Sequence, residues 1–552
     1  MTEEHAASAS ATALAAPGAA GAPGLTEPVW DPRRHALAAP ERAAIVCGGE
    51  TLRYAELEAL ANRFAGVLRG LGLARGAHVA MLVGNRAEAL AIAWGAWRCG
   101  VYLTPLSTAL TPSELRYLVE DCDAQAVLVD VAWRDAAAPL PSLVQAKVRW
   151  LSLRGAIPGF EAIEPLLAQA SPLPQRDEPP GALMMYTSGT TGAPKGVYRP
   201  LLSADWRGTS PFAADLIALF GLGGEHVRYL STAPLYHAAA LRFALAVTAG
   251  GGCVLVMPRF DAETALQLLE REAITHSQWV PAMFQRLLQL PAARRALLRA
   301  PAHRMAIHAA APCPPELKRA MIDWWGPVLV EYYAGSEGVG LTLIDSAQAL
   351  QRPGSVGRAR KGELHIVDDA GNDLPAGRTG LVCFSGIAPF AYYKAPDKTA
   401  ARTLHGGRQT LGDIGHVDAD GYLYLTDRAD DMIISGGVNV YPQEIEAAIR
   451  EVPGVWDCAV VGVPDEHFGE PPVAFIVAAA QPAPAGARGA CERASESASD
   501  CDSHALLDAV RSHCESVLGR IKRPDAFHLI DALPRSPTGK LLRRELRAQL
   551  RK

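Results

Sequence analysis

The 552-residue chain is predicted to be an α/β protein of at least two domains. The expected parts are a large N-terminal body of α/β layers with covered β-sheets and a strand-rich subdomain, then a small C-terminal α+β domain. Three observations predict this. The length exceeds the size at which one hydrophobic core stops growing. Helical and buried-strand patterns alternate through the first part, as they do where helices cover a mostly parallel sheet. The pattern then changes near "LTDRADDMIISGG", and about 120 residues follow, a plausible size for a separate unit.

Each element has a local reason. Residues 55–71 place Leu57, Leu60, Ala61, Phe64, Leu68 and Leu71 at helical spacing. "HVAMLVGN" is a continuous apolar run, the mark of a strand buried on both faces. "TPSELRYLVEDCDA" opens a helix with Thr111 as cap, Pro112 in the first turn and Glu114 closing a capping box. "AVLVD" is a further buried strand. "FALAVTAGGGCVLVMP", after Arg242, is too short for a membrane span and is broken by three glycines. It predicts a buried helix, a turn and a strand. "GELHIVDDAGNDLPAGRTGLVCFSG" and "GHVDADGYLYLTD" are strands joined by Gly, Asn and Asp turns. "YPQEIEAAIREVPGV" is a helix with Pro442 in its first turn, and "CAVVGVP" and "PVAFIVAA" are strands.

The domain reading is a disordered tail over 1–27, an N-terminal domain over 28–428 and a C-terminal domain over 429–552. The tail is rich in Ala, Gly and Pro and lacks the basic start of a secretory signal. A low-complexity insertion at about 480–503 is expected to be disordered. Net charge is −5, which gives no basic surface for nucleic acid. Ten cysteines are scattered without a CxxC pair, as in a reduced, cytoplasmic protein rather than a disulfide framework or zinc site. No transmembrane segment is expected. Peripheral membrane contact and a homodimer stay open.

"MMYTSGTTGAPKGVYRP" carries the chemistry. It is not a Walker A loop, whose spacing differs. Gly189 and Gly192 let backbone N–H groups turn toward an anion without Cβ clashes. Thr187, Ser188, Thr190 and Thr191 supply hydroxyls and Lys195 a charge. "ALMMY" is read as the strand that holds this loop. Taken alone, the stretch is either a phosphate loop or a Gly/Ser linker.

The full string resembles the phosphate loop of the adenylate-forming enzymes: acyl-CoA synthetases, luciferases and peptide-synthetase adenylation domains. Further motifs of that family follow in order, from about Tyr54 to Lys540. "APLYHAAAL" resembles the aromatic–His motif beside the carboxylate and supplies His237. "IHAAAPCP" resembles the segment that passes the adenine and lines the acyl pocket, with Ala309, Ala310 and Ala311. The family often has Gly where Ala309 stands. "EYYAGSEGVG" resembles the Tyr-Gly-x-Thr-Glu motif. By that likeness Tyr333 stacks on adenine, Ser336 keeps the usual hydroxyl, and Glu337, with Thr187, stands on the Mg²⁺ side. "TLGDIGHVDADGYLYLTDR" supplies Asp413 and Arg428 for the ribose. Asp430 matches the hinge position. Gly436 matches the residue beside the pantetheine channel, with Gly437 next to it as a further cofactor-binding residue, and Lys540 matches the catalytic lysine.

The resemblance implies ATP, Mg²⁺ and coenzyme A as cofactors, and two half-reactions. A carboxylate attacks the α-phosphate of ATP to give acyl-adenylate and pyrophosphate, and the CoA thiol then takes the acyl group and releases AMP. It also implies a mobile C-terminal domain that turns between the two. The match is closest to bacterial fatty-acyl and aryl-acyl CoA ligases. Ala238–Ala240 after His237 disfavour an α-amino acid substrate. Ala334, where acetate-specific members carry tryptophan, points to a larger apolar acid, with Trp279 as a further apolar wall. The alternatives are an acyl-adenylate ligase that loads a carrier protein and a non-catalytic nucleotide-binding relative.

Overall fold

The computed structural model describes residues 32–187, 194–206, 208–428, 431–435, 438–463, 470–479, 495–535 and 541–550. Two large sheets dominate. A six-stranded, wholly parallel sheet contains His78–Leu82, Tyr102–Pro105 and Ala124–Asp130 at its centre. All five residues of His78–Leu82 are buried, as expected for a strand covered on both faces. A thirteen-stranded sheet changes character across its width. Ala43–Cys47, Cys253–Val256, Arg228–Ser231, His276–Trp279, Met305–His308 and Leu329–Tyr333 run parallel, in that spatial order. From Leu329–Tyr333 onward the pairing is antiparallel, through Leu341–Asp345 and Ser355–Lys361 to Leu423–Arg428, Gln409–Val417, Gly380–Ser385 and Glu363–Val367. These last strands form the strand-rich part.

The local signals map onto this frame. The helix Tyr54–Gly70 buries Leu57, Ala61, Phe64 and Leu68. The Pro112–Asp121 helix has the predicted capping box: Glu114 N donates to Thr111 Oγ1, and Thr111 N donates to Glu114 Oε2. Helix Ala238–Gly250 ends on Gly251 at φ +89, a left-handed conformation that glycine adopts without a Cβ clash, and the strand Cys253–Val256 follows.

Two expectations are corrected. "ALMMY" is not one strand. Ala182–Leu183 joins the parallel sheet, whereas Met185–Thr187 pairs with Lys195–Tyr198 in a separate three-stranded sheet. An apolar run shows burial but not which sheet buries it. The expected disordered insertion is also too long at its C-terminal end. Residues 495–503 are the first turns of the helix Ser495–Val517. Polar composition hid them, but no Gly or Pro interrupts the chain before Val510 and Cys514, which pack that helix into the C-terminal core.

After Arg428 the chain leaves the large sheet. Val455–Gly462, Pro472–Ala478 and Ala526–Leu529 form a three-stranded sheet, with Pro442–Arg450 and Ser495–Val517 packed on one side and Arg543–Gln549 on the other. The expected tail over 1–27 and residues 480–494 of the expected insertion lie outside the described residues. Among the described residues, no helix is long and apolar enough to cross a membrane, and Cys47, Cys99, Cys122, Cys253, Cys313, Cys383, Cys458 and Cys514 are free.

Candidate active site

Three groups of the predicted residues follow the carboxyl ends of parallel strands in one sheet, where ligands of open α/β sheets bind. Arg228–Ser231 leads to His237, Met305–His308 leads to Ala309–Ala311, and Leu329–Tyr333 leads to Ala334–Glu337. The loop before His237 is fixed by Asn85. Its Nδ2 donates to the carbonyls of Ala233 (3.1 Å) and Met257 (2.7 Å), and its Oδ1 accepts from Leu235 N at 2.7 Å. His237 then caps the helix Ala238–Gly250. Its buried Nε2 has no hydrogen-bond partner among the described residues, and burial pushes its pKa down to about 4, so the ring is neutral at neutral pH. Ala310 holds φ +76, a left-handed conformation uncommon for a residue with a Cβ.

Thr187 ends one strand of a hairpin and Lys195 begins the other; the two are register partners. The loop between them is thus anchored at both ends in antiparallel pairing, with Ala391–Tyr392 as the third strand. Ser188, Gly189, Thr190, Thr191 and Gly192 lie outside the described residues. Tyr392 links the hairpin to the Glu337 loop. The Lys195 ammonium sits 5.2 Å from the Tyr392 ring centroid, and the Tyr392 hydroxyl donates to Glu337 Oε1 at 2.8 Å. Burial, then the Glu337 charge, raises the Tyr392 phenol well above its usual value, so it stays a donor. Glu337 Oε2 has no partner among the described residues. One carboxylate oxygen held and one left over fits a magnesium ion that takes most of its other ligands from phosphate and water. No cluster of three or more His, Cys, Asp or Glu able to hold a metal occurs among the described residues.

Two arginines hold the backbone of the Glu337 loop. Arg199 donates to the carbonyl of Glu337 at 2.7 Å, and Arg242 to that of Ser336 at 3.2 Å. On the far side, the Tyr333 hydroxyl donates to Asp413 Oδ2 at 2.5 Å, and Arg428 Nε lies 3.3 Å from Asp413 Oδ1. Asp413 and Arg428 are themselves register partners on adjacent strands. Tyr333, Asp413 and Arg428 are thereby one connected group.

Trp279 lies in the main core. It is 1% exposed, donates to Ser277 Oγ at 2.6 Å and packs against Phe260, Phe284 and Trp325. Its strand directs the ring into the core. Asp430, Gly436, Gly437 and Lys540 lie outside the described residues. The sequence reading missed Tyr392, Arg199 and Arg242. Arg199 closes the phosphate-loop segment and Arg242 follows the His237 motif, but their contacts cross 138 and 94 positions. No local pattern announces Tyr392.

Fold and site together define an enzyme of the adenylate-forming class. A family model described as "AMP-binding enzyme" matches residues 32–393, and one for the "AMP-binding enzyme C-terminal domain" matches 444–540. The chain is similar to a long-chain-fatty-acid–CoA ligase of Mycobacterium tuberculosis, 32% identical over 94% of this chain and 98% of that protein. It is equally similar to a sulfoacetate–CoA ligase of Cupriavidus necator, 32% identical over 90% and 92%. Among solved structures, ATP-bound MatB from Rhodopseudomonas palustris superposes with a TM-score of 0.77 at 29% identity, over 94% of this chain and 99% of that one. The chain belongs to the AMP-binding enzyme family. It is an acid–thiol ligase that works with ATP, Mg²⁺ and CoA.

Proposed function

We propose that this acyl-CoA synthetase activates an apolar carboxylic acid, a medium-to-long-chain fatty acid or a bulky or aromatic one. The acid becomes acyl-AMP and is passed to CoA, with release of pyrophosphate and AMP. The observation that carries the substrate class is Ala334. It is partly buried against the main core, directly after the strand Leu329–Tyr333, and its methyl group is far smaller than the indole ring of a tryptophan. Ala238, Ala239 and Ala309 are similarly small. An apolar pocket gains about 0.8 kcal/mol per buried CH₂, so each methylene improves binding roughly fourfold until the pocket ends.

The residue roles follow the charge that must be managed. Carboxylate and ATP repel, and Lys195, a Mg²⁺ ion on Glu337 with Thr187 nearby, and Lys540 offset that repulsion. In this reading neutral His237 lies beside the acid, Tyr333, Ala310 and Ala311 border the adenine, and Ser336 offers its hydroxyl to the nucleotide. Asp413 and Arg428 take the ribose, Gly436 and Gly437 border the thiol channel, and Asp430 is the pivot. The expected setting is the cytoplasm. The test is acyl-CoA formation with octanoate against acetate in wild type and Ala334→Trp. Wild type is expected to favour octanoate, and the variant to shift toward acetate by overfilling the cavity. A wild type that prefers acetate, or a ratio unmoved by the substitution, overturns the substrate class. Acyl transfer to a carrier protein but not to CoA overturns the acceptor.

A further inference from the structure

The helix that begins at His237 has one face outside the core. Ala238, Ala239, Arg242 and Leu245 are partly exposed, whereas Ala240, Leu241, Phe243, Ala244 and Ala246 are buried. That spacing puts the Arg242 side chain on the same face as the two alanines after His237. Its guanidinium stacks 4.4 Å from the Phe212 ring centroid and donates to the Ser336 carbonyl at 3.2 Å, in the loop that follows Ala334.

This cation has no carboxylate partner: among the described residues it forms no ion pair, and its one hydrogen bond is to Ser336. The charges around it do not compensate. Arg199 stands near, bound to backbone carbonyls, and Lys361 is engaged with Asp215 beneath Phe212. Glu337 and the Tyr332 phenol act on Arg242 with a sign opposite to Arg199, but neither is hydrogen-bonded to it, and one oxygen of Glu337 is held by Tyr392. Burial and Arg199 push the Arg242 pKa down to about 10, which still leaves it charged at neutral pH. A guanidinium has five donors in a planar fork suited to a carboxylate or sulfonate, and most of these donors are unused.

We propose that Arg242 is a specificity-determining residue of the acid subsite, selecting acids whose body carries a second anionic group, a carboxylate or a sulfonate, that pairs with its guanidinium. This rests on the reading that the acid lies between His237 and Ala334, and it adds a polar end to a pocket otherwise lined by small apolar side chains.

The full-length enzyme is assayed for acyl-CoA formation with matched pairs of equal chain length: butyrate and succinate, hexanoate and adipate, octanoate and octanedioate. The expected result is that at least one diacid exceeds its monoacid in kcat/KM. Arg242→Gln should lower that diacid-to-monoacid ratio by about 10- to 100-fold, the worth of a charged hydrogen-bonded contact. Arg242→Lys, which keeps a charge without the fork, should retain part of it. A role confined to holding the Ser336 loop would slow mono- and diacids alike, so an unchanged ratio overturns the proposal. Turnover of monoacids alone overturns it too, while leaving the apolar-acid reading intact. No turnover with any member of either series overturns both.

Discussion

Tyr392 shows how one side chain serves two charges: its ring lies under Lys195 and its hydroxyl holds Glu337. Tyr392→Phe keeps the ring and removes the hydroxyl. A hydrogen bond to a charged group contributes about 1.5–3 kcal/mol, so the half-saturating Mg²⁺ concentration in pyrophosphate exchange should rise by about 10-fold or more. An unchanged Mg²⁺ requirement would show that Glu337 is not held in place this way. The buried histidines set a different property. Burial holds His237, His276 and His303 at about 4 and His308 well below its usual value. A histidine whose folded pKa lies below its unfolded value takes up a proton on unfolding. Its contribution to stability is therefore intact above about pH 6.5 and is lost as pH falls from there toward 4. At pH 5.5 each of the first three loses roughly 1 kcal/mol. Asp427 acts oppositely. Burial raises its carboxyl to about 6, so its unfavourable burial is relieved over the same fall, but by pH 5.5 this returns less than about 1 kcal/mol. The histidines win, and the denaturant midpoint should drop clearly between pH 7.5 and 5.5. A flat profile would refute the burial argument.

At the scale of elements, the phosphate-loop hairpin is held by a tight contact. A Cβ on Gly196 would lie 3.1 Å from the Tyr186 ring, and that ring is tethered by its hydroxyl to Asp121 at 2.5 Å. Gly196→Val should displace the hairpin and lower kcat/KM for adenylation by about 10-fold or more, with a stability loss of about 1–3 kcal/mol for overpacking. Pyrophosphate exchange and thermal unfolding check both. Normal exchange would mean that the loop tolerates movement of its base. Elements of this kind were legible where a local rule decides them. Thr111 and Glu114 announce their helix because a capping box is a four-residue event. Ala182–Leu183 and Met185–Thr187 read as one strand because assignment to a sheet depends on partners far along the chain.

Across the whole molecule, the order of motifs announced the class because several, such as those of His237 and Glu337, follow a strand end where the backbone is locally constrained. Tyr392, Arg199 and Arg242 were not legible, since their roles arise from contacts between distant loops. The two bodies meet near Asp427, whose Oδ2 accepts from Gln443 N at 3.0 Å. Just beyond, Arg543 binds Asp431 at 3.3 Å and Glu446 at 2.5 Å. Lys540→Ala is expected to slow adenylate formation by about 10²–10³-fold, the effect of losing one charge contact in a dry site. Synthetic acyl-adenylate should restore much of the CoA transfer. Absence of rescue would remove Lys540 from the first half-reaction.

The spatial order of the thirteen-stranded sheet also carries a cost in time. Ile45 pairs with Val254, which leaves the ribosome about two hundred residues later. At about 5–20 residues per second, the strand Ala43–Cys47 waits on the order of 10–40 s for its parallel neighbour. Meanwhile it has only the hairpin with Glu50–Arg53, a short strand with exposed Glu50 and Arg53 at its ends. Charged, short edges discourage pairing with the wrong chain. The nascent enzyme thus carries a guard over its first apolar strand until translation delivers the rest of the sheet.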